Sequence, residues 1–125
     1  MAKAEKRRKA TDLPKQVTLA IEAAADKKAN DVIVLDLREA AGFTDFFLIC
    51  SGTNARQIRA IADSVMETLA AAGAKPAHAE GYDRSEWILL DYFDFIVHIF
   101  APDTRSFYGL ERLWGNAERI ELDGN

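Results

Sequence analysis

The chain has a single cysteine, Cys50, among 125 residues. That excludes an internal disulfide and offers no zinc framework. It has no apolar run near the ~18 residues a membrane helix needs. Its basic N-terminus lacks the apolar stretch of a secretory signal, and it is short and serine-poor for an organelle transit peptide. The expected compartment is the cytoplasm, with no membrane partner. Missing too are GxGxxG, the Lys-Ser/Thr of a phosphate loop and any DxD pair of carboxylates on one strand face. No repeat, linker or low-complexity segment follows the first eleven residues.

What is present is an ordinary globular composition, 49% hydrophobic and 29% charged. The length suits one domain with a real core. Net charge is −4, but it is unevenly spread. Residues 1–11 carry five basic groups (Lys3, Lys6, Arg7, Arg8, Lys9) against Glu5, which leaves 11 basic and 19 acidic residues, a balance of −8, in the rest. A basic tail on an acidic body predicts a cationic partner for the body. Gripping nucleic acid directly would need a basic face. We read residues 1–11 as a disordered basic tail, either solubilising or making an auxiliary contact to RNA, and 12–125 as one domain.

Periodicity predicts helices and strands in alternation. Helix one is expected from Thr11 or Asp12, with Pro14 in its first turn and a stripe of Leu13, Val17, Ile21 and Ala24. Val32–Leu37 and Phe43–Cys50 read as strands. Ser51-Gly52-Thr53 leads into a helix capped by Thr53 or Asn54, with Gln57 placed for a capping box and Gly73 at the C′ position. Lys75–Glu80 is a weak edge strand. Trp87–Tyr92 and Phe95–Phe100 form a hairpin, apolar on both faces and so expected to be covered on each side. Its turn lacks the Gly or Asn that a tight hairpin favours, so either the turn is longer than two residues or Phe93 is strained. A helix from about Asp103 to Leu113, capped by Asp103 or Thr104 and ended by Gly115, follows, and Arg119–Leu122 either adds a last short strand or lies over the surface. The fold class is α/β, a mixed β-sheet with helices packed on it.

The chemical candidates are weak. Ser51-Gly52-Thr53 is better read as helix entry than as an anion cradle. Asp91 and Asp94 flank a turn and are poorly placed to share a metal ion. Cys50 closes an apolar strand, His98 sits among Ile and Val, and a Cys–His catalytic pair is not favoured. Trp87 and Trp114, set among charges and rings, are either core residues with their N–H bonded or part of an interaction surface.

Three stretches together resemble one family. TDFFLICSGTNARQIRAIAD (44–63), EGYDRSEWILLDYFDFIVHIF (80–100) and RSFYGLERLWGNA (105–117) are similar, in order, to signatures of the ribosomal silencing factor family, also called the Iojap family. The chain departs from it at Phe93, usually Gly, and at Gly109, often Asp. The resemblance implies a nucleotidyltransferase-like fold without the catalytic carboxylates, no enzyme activity and no cofactor. It also implies a cytoplasmic translational repressor, often a homodimer off the ribosome. Such a factor binds the large ribosomal subunit through large-subunit ribosomal protein fourteen and blocks small-subunit joining when nutrients are scarce. The contact residues expected here are Trp87, Leu89, Asp91 and Tyr92, with Glu111, Arg112 and Trp114 beside them. Trp87 and Leu89 would be apolar anchors, and Asp91 and Glu111 would pair with Lys or Arg. This requires one open face on a strand whose composition predicts burial on both. The rival reading is a divergent nucleotidyltransferase-like enzyme using the Ser51-Gly52-Thr53 turn.

Overall fold

The computed structural model describes residues 13–120 and Leu122, so the expected tail and the expected Thr11 or Asp12 helix start lie outside the described residues. Helix α1 runs Lys15–Asp26. Pro14 lies outside the helix rather than in its first turn: its ψ of 149° is extended, and its carbonyl accepts the first helical N–H, from Thr18. The residue before a proline is pushed out of the α region, which favours a start at this point. Alanines 20, 23 and 24 with Val17 form the buried face. Their small size lets α1 lie close to α2 (Ala55–Ala71), where Ser64 Oγ donates to the Ala23 carbonyl at 2.9 Å.

The strands are β1 (Asn30–Asp36), β2 (Phe46–Ser51), β3 (His78–Glu80), β4 (Trp87–Asp91), β5 (Phe95–Phe100) and β6 (Glu118–Ile120). They form one six-stranded sheet in the order β3-β4-β5-β2-β1-β6. Only the central pair, β2 with β5, is parallel. The helix that follows β2, α2, is built as its sequence suggests. Asn54 Oδ1 accepts from the Gln57 N–H at 2.8 Å. At the far end Gly73 (φ 90°) sits at C′, with its N–H on the Ala70 carbonyl and that of Ala74 on Leu69. That is a Schellman motif.

Helices α1 and α2 cover one sheet face through Val34, Leu48, Cys50, Ile88, Leu90, Val97 and Ile99, all fully buried. Each large aliphatic there contributes roughly 1.5–3 kcal/mol of transfer free energy. The second face is covered only in part. The predicted Asp103–Leu113 helix is two helices, α3 (Pro102–Tyr108) and α4 (Leu110–Leu113), broken at Gly109, which is left-handed at φ 56° and ψ 48°. Its cap is Ala101 rather than Asp103 or Thr104, because Pro102 takes the first helical position, where its missing N–H costs nothing. This bent segment lays Leu110, Trp114 and Ala117 over Phe47 and Leu35. Its Tyr108 ring reaches Trp87 at the start of β4, at 4.7 Å, and leaves this face of β4 half-buried. The central strands β2 and β5 are therefore buried throughout, whereas β4 alternates between buried and half-buried residues.

The hairpin turn is both longer and strained. Three residues, Tyr92 to Asp94, join β4 to β5, and Phe93 has φ 71°. The Asp94 N–H bonds back to the Tyr92 carbonyl at 2.8 Å, as in a γ-turn of the rarer positive-φ kind. Asp91 Oδ1 accepts from the Phe93 N–H, and Thr44 Oγ donates to the Phe93 carbonyl, both at 2.8 Å. With its ring 71% exposed, Phe93 contributes little packing to offset the backbone cost. Phe93→Gly should therefore raise stability by about 1 kcal/mol, read as a higher urea midpoint at unchanged slope. A lower midpoint would show that the ring matters more than the strain.

Candidate functional site

Strand β4 places Trp87, Leu89 and Asp91 in a row on the half-covered face, each half-buried. The register sets Trp87 opposite Phe100 and Leu89 opposite His98. The Trp87 indole is fixed on three sides. It stacks on Phe100 at 4.9 Å, meets Tyr108 at 4.7 Å, and its Nε1–H donates to His98 Nδ1 at 3.1 Å. Rings then follow one another across the face from Phe107 through Tyr108, Trp87, His98, Phe47 and Trp114 to Phe43. Phe107 and Leu113 are 78% and 70% exposed, and Phe43 and Tyr108 are also exposed. An aromatic seam left open in a small protein marks a contact surface.

His98 is the buried hinge of the seam. Accepting a hydrogen bond at Nδ1 leaves the neutral ring's proton on Nε2, which is buried and has no partner among the described residues. Burial pushes its pKa down to about 3. The unfolded chain takes this proton near pH 6.5, whereas the folded chain resists it down to about 3. The stabilisation is thus complete above 6.5 and is lost as the pH falls toward 3. Between pH 6.5 and 5, wild-type stability should drop by roughly 1.4 kcal/mol per pH unit from this group. His98→Asn, which keeps an acceptor for Trp87, should flatten that slope in urea titrations. An equal slope in both proteins would assign it to other groups.

The groups considered for catalysis are not assembled into a site. Cys50 is fully buried on the helix-covered face, with its thiol pushed up to about 12 by desolvation, while His98 faces the other way. His78 is exposed on the edge strand β3. The Gly52 N–H donates to the Phe100 carbonyl and the Thr53 N–H to Gln57 Oε1, so neither points at a ligand. A Cβ on Gly52 would lie 2.8 Å from Ile58, which identifies this glycine as a packing residue. Among the described residues no three His, Cys, Asp or Glu side chains gather as metal ligands. No described helix is long and apolar enough to cross a membrane.

Comparison with known proteins agrees with this architecture. The family model described as "Ribosomal silencing factor during starvation" matches residues 10–125. The chain belongs to the ribosomal silencing factor family. It is 41% identical over 106 residues to "Ribosomal silencing factor RsfS" of Halalkalibacterium halodurans, covering 85% of this chain and 91% of that protein. A Chromobacterium violaceum crystal structure superposes with a TM-score of 0.79 at 37% identity, over 81% of this chain and 84% of that one. The mouse "Mitochondrial assembly of ribosomal large subunit protein 1" is 30% identical over 91 residues, 70% of this chain and 40% of that protein.

In this family member the residues expected at the contact separate into three places. Trp87, Leu89, Asp91 and Trp114 share the half-open face. Tyr92 lies on the opposite face, 7% exposed and stacked on Phe95 at 5.0 Å beneath the helices, so it cannot join a surface with Trp87. Strand alternation dictates this: one step beyond Asp91 inverts the side chain. Glu111 is already engaged, 2.9 Å from Arg105, and Arg112 lines a separate cleft on the β1 side of α4. Phe43, Phe107, Tyr108 and Leu113 were missed. The signal that could have found them is Gly109: a glycine inside a short helical pattern marks a break, and the break leaves the rings before it exposed.

Proposed function

We propose that this protein silences translation by docking its aromatic seam on the large ribosomal subunit, through large-subunit ribosomal protein fourteen, and thereby blocking small-subunit joining under nutrient limitation. The seam carries the reading. Trp87 and Leu89 supply apolar anchors, and Asp91 at the end of the row sets an acidic group toward a basic partner. The large-subunit assembly named for the mouse relative supports this target. The factor acts by occupancy and without catalysis, in the cytoplasm, as a homodimer when off the ribosome. The basic tail adds a minor contact to ribosomal RNA.

Sucrose-gradient sedimentation of purified subunits is the test. Saturating protein should co-sediment with large subunits and remove the joined-ribosome peak. Normal joining at saturation would end the proposal. A nucleotidyltransferase-like activity is disfavoured because the Ser51-Gly52-Thr53 backbone donors are consumed within the fold. Magnesium-dependent nucleotide turnover abolished by altering this turn would reinstate it.

A further inference from the structure

On the side of α3–α4 away from Trp87, a cleft of about 940 Å³ opens between the start of β1, the end of β2 and the bent helical segment. That is the size of a small-molecule site. Arginines from three different elements line it: Arg105 from α3, Arg112 from α4 and Arg119 from β6. Arg105 is a fixed strut, its Nη1 donating to Ser51 Oγ at 2.9 Å and its Nε and Nη2 to Glu111 Oε2 at 3.0 and 2.9 Å. The other two keep their charge available: among the described residues no ion pair engages Arg112 or Arg119.

Gly109 makes the room. A Cβ at this position would lie 2.5 Å from Arg112 Nη2 and 2.8 Å from its Cζ, so the guanidinium rests where a side chain would otherwise stand. The opposite lip carries Asn30 and Asp31, at the point where the β1–β2 register shifts. Two guanidiniums outside any ion pair, in a cleft also lined by an amide and a carboxylate, suit a ligand that is anionic at one end and bears hydroxyls at the other. We infer that this cleft binds a small phosphorylated sugar, free or within a nucleotide, with Arg112 and Arg119 on the phosphate and Asn30 and Asp31 taking sugar hydroxyls. The inference does not depend on ribosome docking. It differs from the nucleotidyltransferase reading in needing neither metal nor the backbone of the turn.

Calorimetry of the full chain in EDTA, with ribose 5-phosphate and ATP as probes and sulfate as control, tests it. At least one probe should bind saturably at one per chain and more tightly than sulfate. Arg112→Ala and Arg119→Ala, both at exposed residues, should each weaken it about tenfold. Gly109→Asp, a residue tolerated in the left-handed region, should weaken it similarly by setting a carboxylate on Arg112. Deleting residues 1–11 should change nothing. Absence of saturable binding by both probes would overturn the inference. So would binding that survives the double arginine substitution, that needs the tail, or that appears only with an RNA oligonucleotide.

Discussion

Trp87→Ala is expected to weaken binding to the large ribosomal subunit by ~2 kcal/mol or more, mostly as faster dissociation. The indole is held between Phe100, Tyr108 and His98 before any partner arrives. An anchor already immobilised loses little entropy on docking. Its one polar atom is spent internally on His98, so what it offers a partner is hydrocarbon. Trp87→Phe should therefore keep most of the affinity, while costing ~1–3 kcal/mol of stability through the unpaired Nδ1 of His98. Both variants need urea titration and circular dichroism, so that binding is compared between folded proteins. Wild-type affinity in a folded Trp87→Ala protein would remove this residue from the surface. Equal losses for Ala and Phe would show that the N–H, and not the ring, is read.

Gly81→Ala should cost about 3 kcal/mol or more of folding stability. Gly81 has φ 86°, and a Cβ there would stand 2.0 Å from the carbonyl oxygen of Trp87. The obstructing atom is backbone in the first residue of β4, so it cannot rotate away. The loop around it has little slack. Ser85, itself at φ 57°, donates its N–H to the Gly81 carbonyl at 2.9 Å. Its hydroxyl donates to the Tyr82 carbonyl and accepts from Arg59 Nη1, at 2.7 and 2.8 Å. Relief requires the start of β4 to move, which also pulls Trp87 from His98. The expected readout is a lower urea midpoint together with a shift in tryptophan fluorescence. A change within about 0.5 kcal/mol, as for an ordinary surface substitution, would falsify the crowding argument.

Both predictions concern the same few residues, and they fail independently. The first is about what a partner touches, the second about what holds that surface in place. Loss of binding by a stable Trp87→Ala protein, beside a Gly81→Ala protein that barely folds, would separate recognition from scaffold.

Local patterning reached far in this chain. Continuous apolar runs in FFLIC and FIVHIF identified the strands that became β2 and β5. Asn54 with Gln57, and Gly73 after Ala72, marked both ends of α2. The absence of any turn-forming residue between Tyr92 and Asp94 announced the strained Phe93. Each of these depends on hydrogen bonds and sterics within a few residues, so each is written locally. Boundaries fared less well where neighbours decide them. β2 begins at Phe46 rather than Phe43, since Asp45 donates to the Asp94 carbonyl and the Thr44 side chain to that of Phe93.

The amino-acid order alone thus determined the α/β class, the family and the row Trp87–Leu89–Asp91. Tertiary structure alone decided that the row has an open side and that Glu111 pairs with Arg105. The reason is coverage. How much of a sheet face stays open depends on where a later segment bends, and here it bends at Gly109 and leaves β4 half-covered.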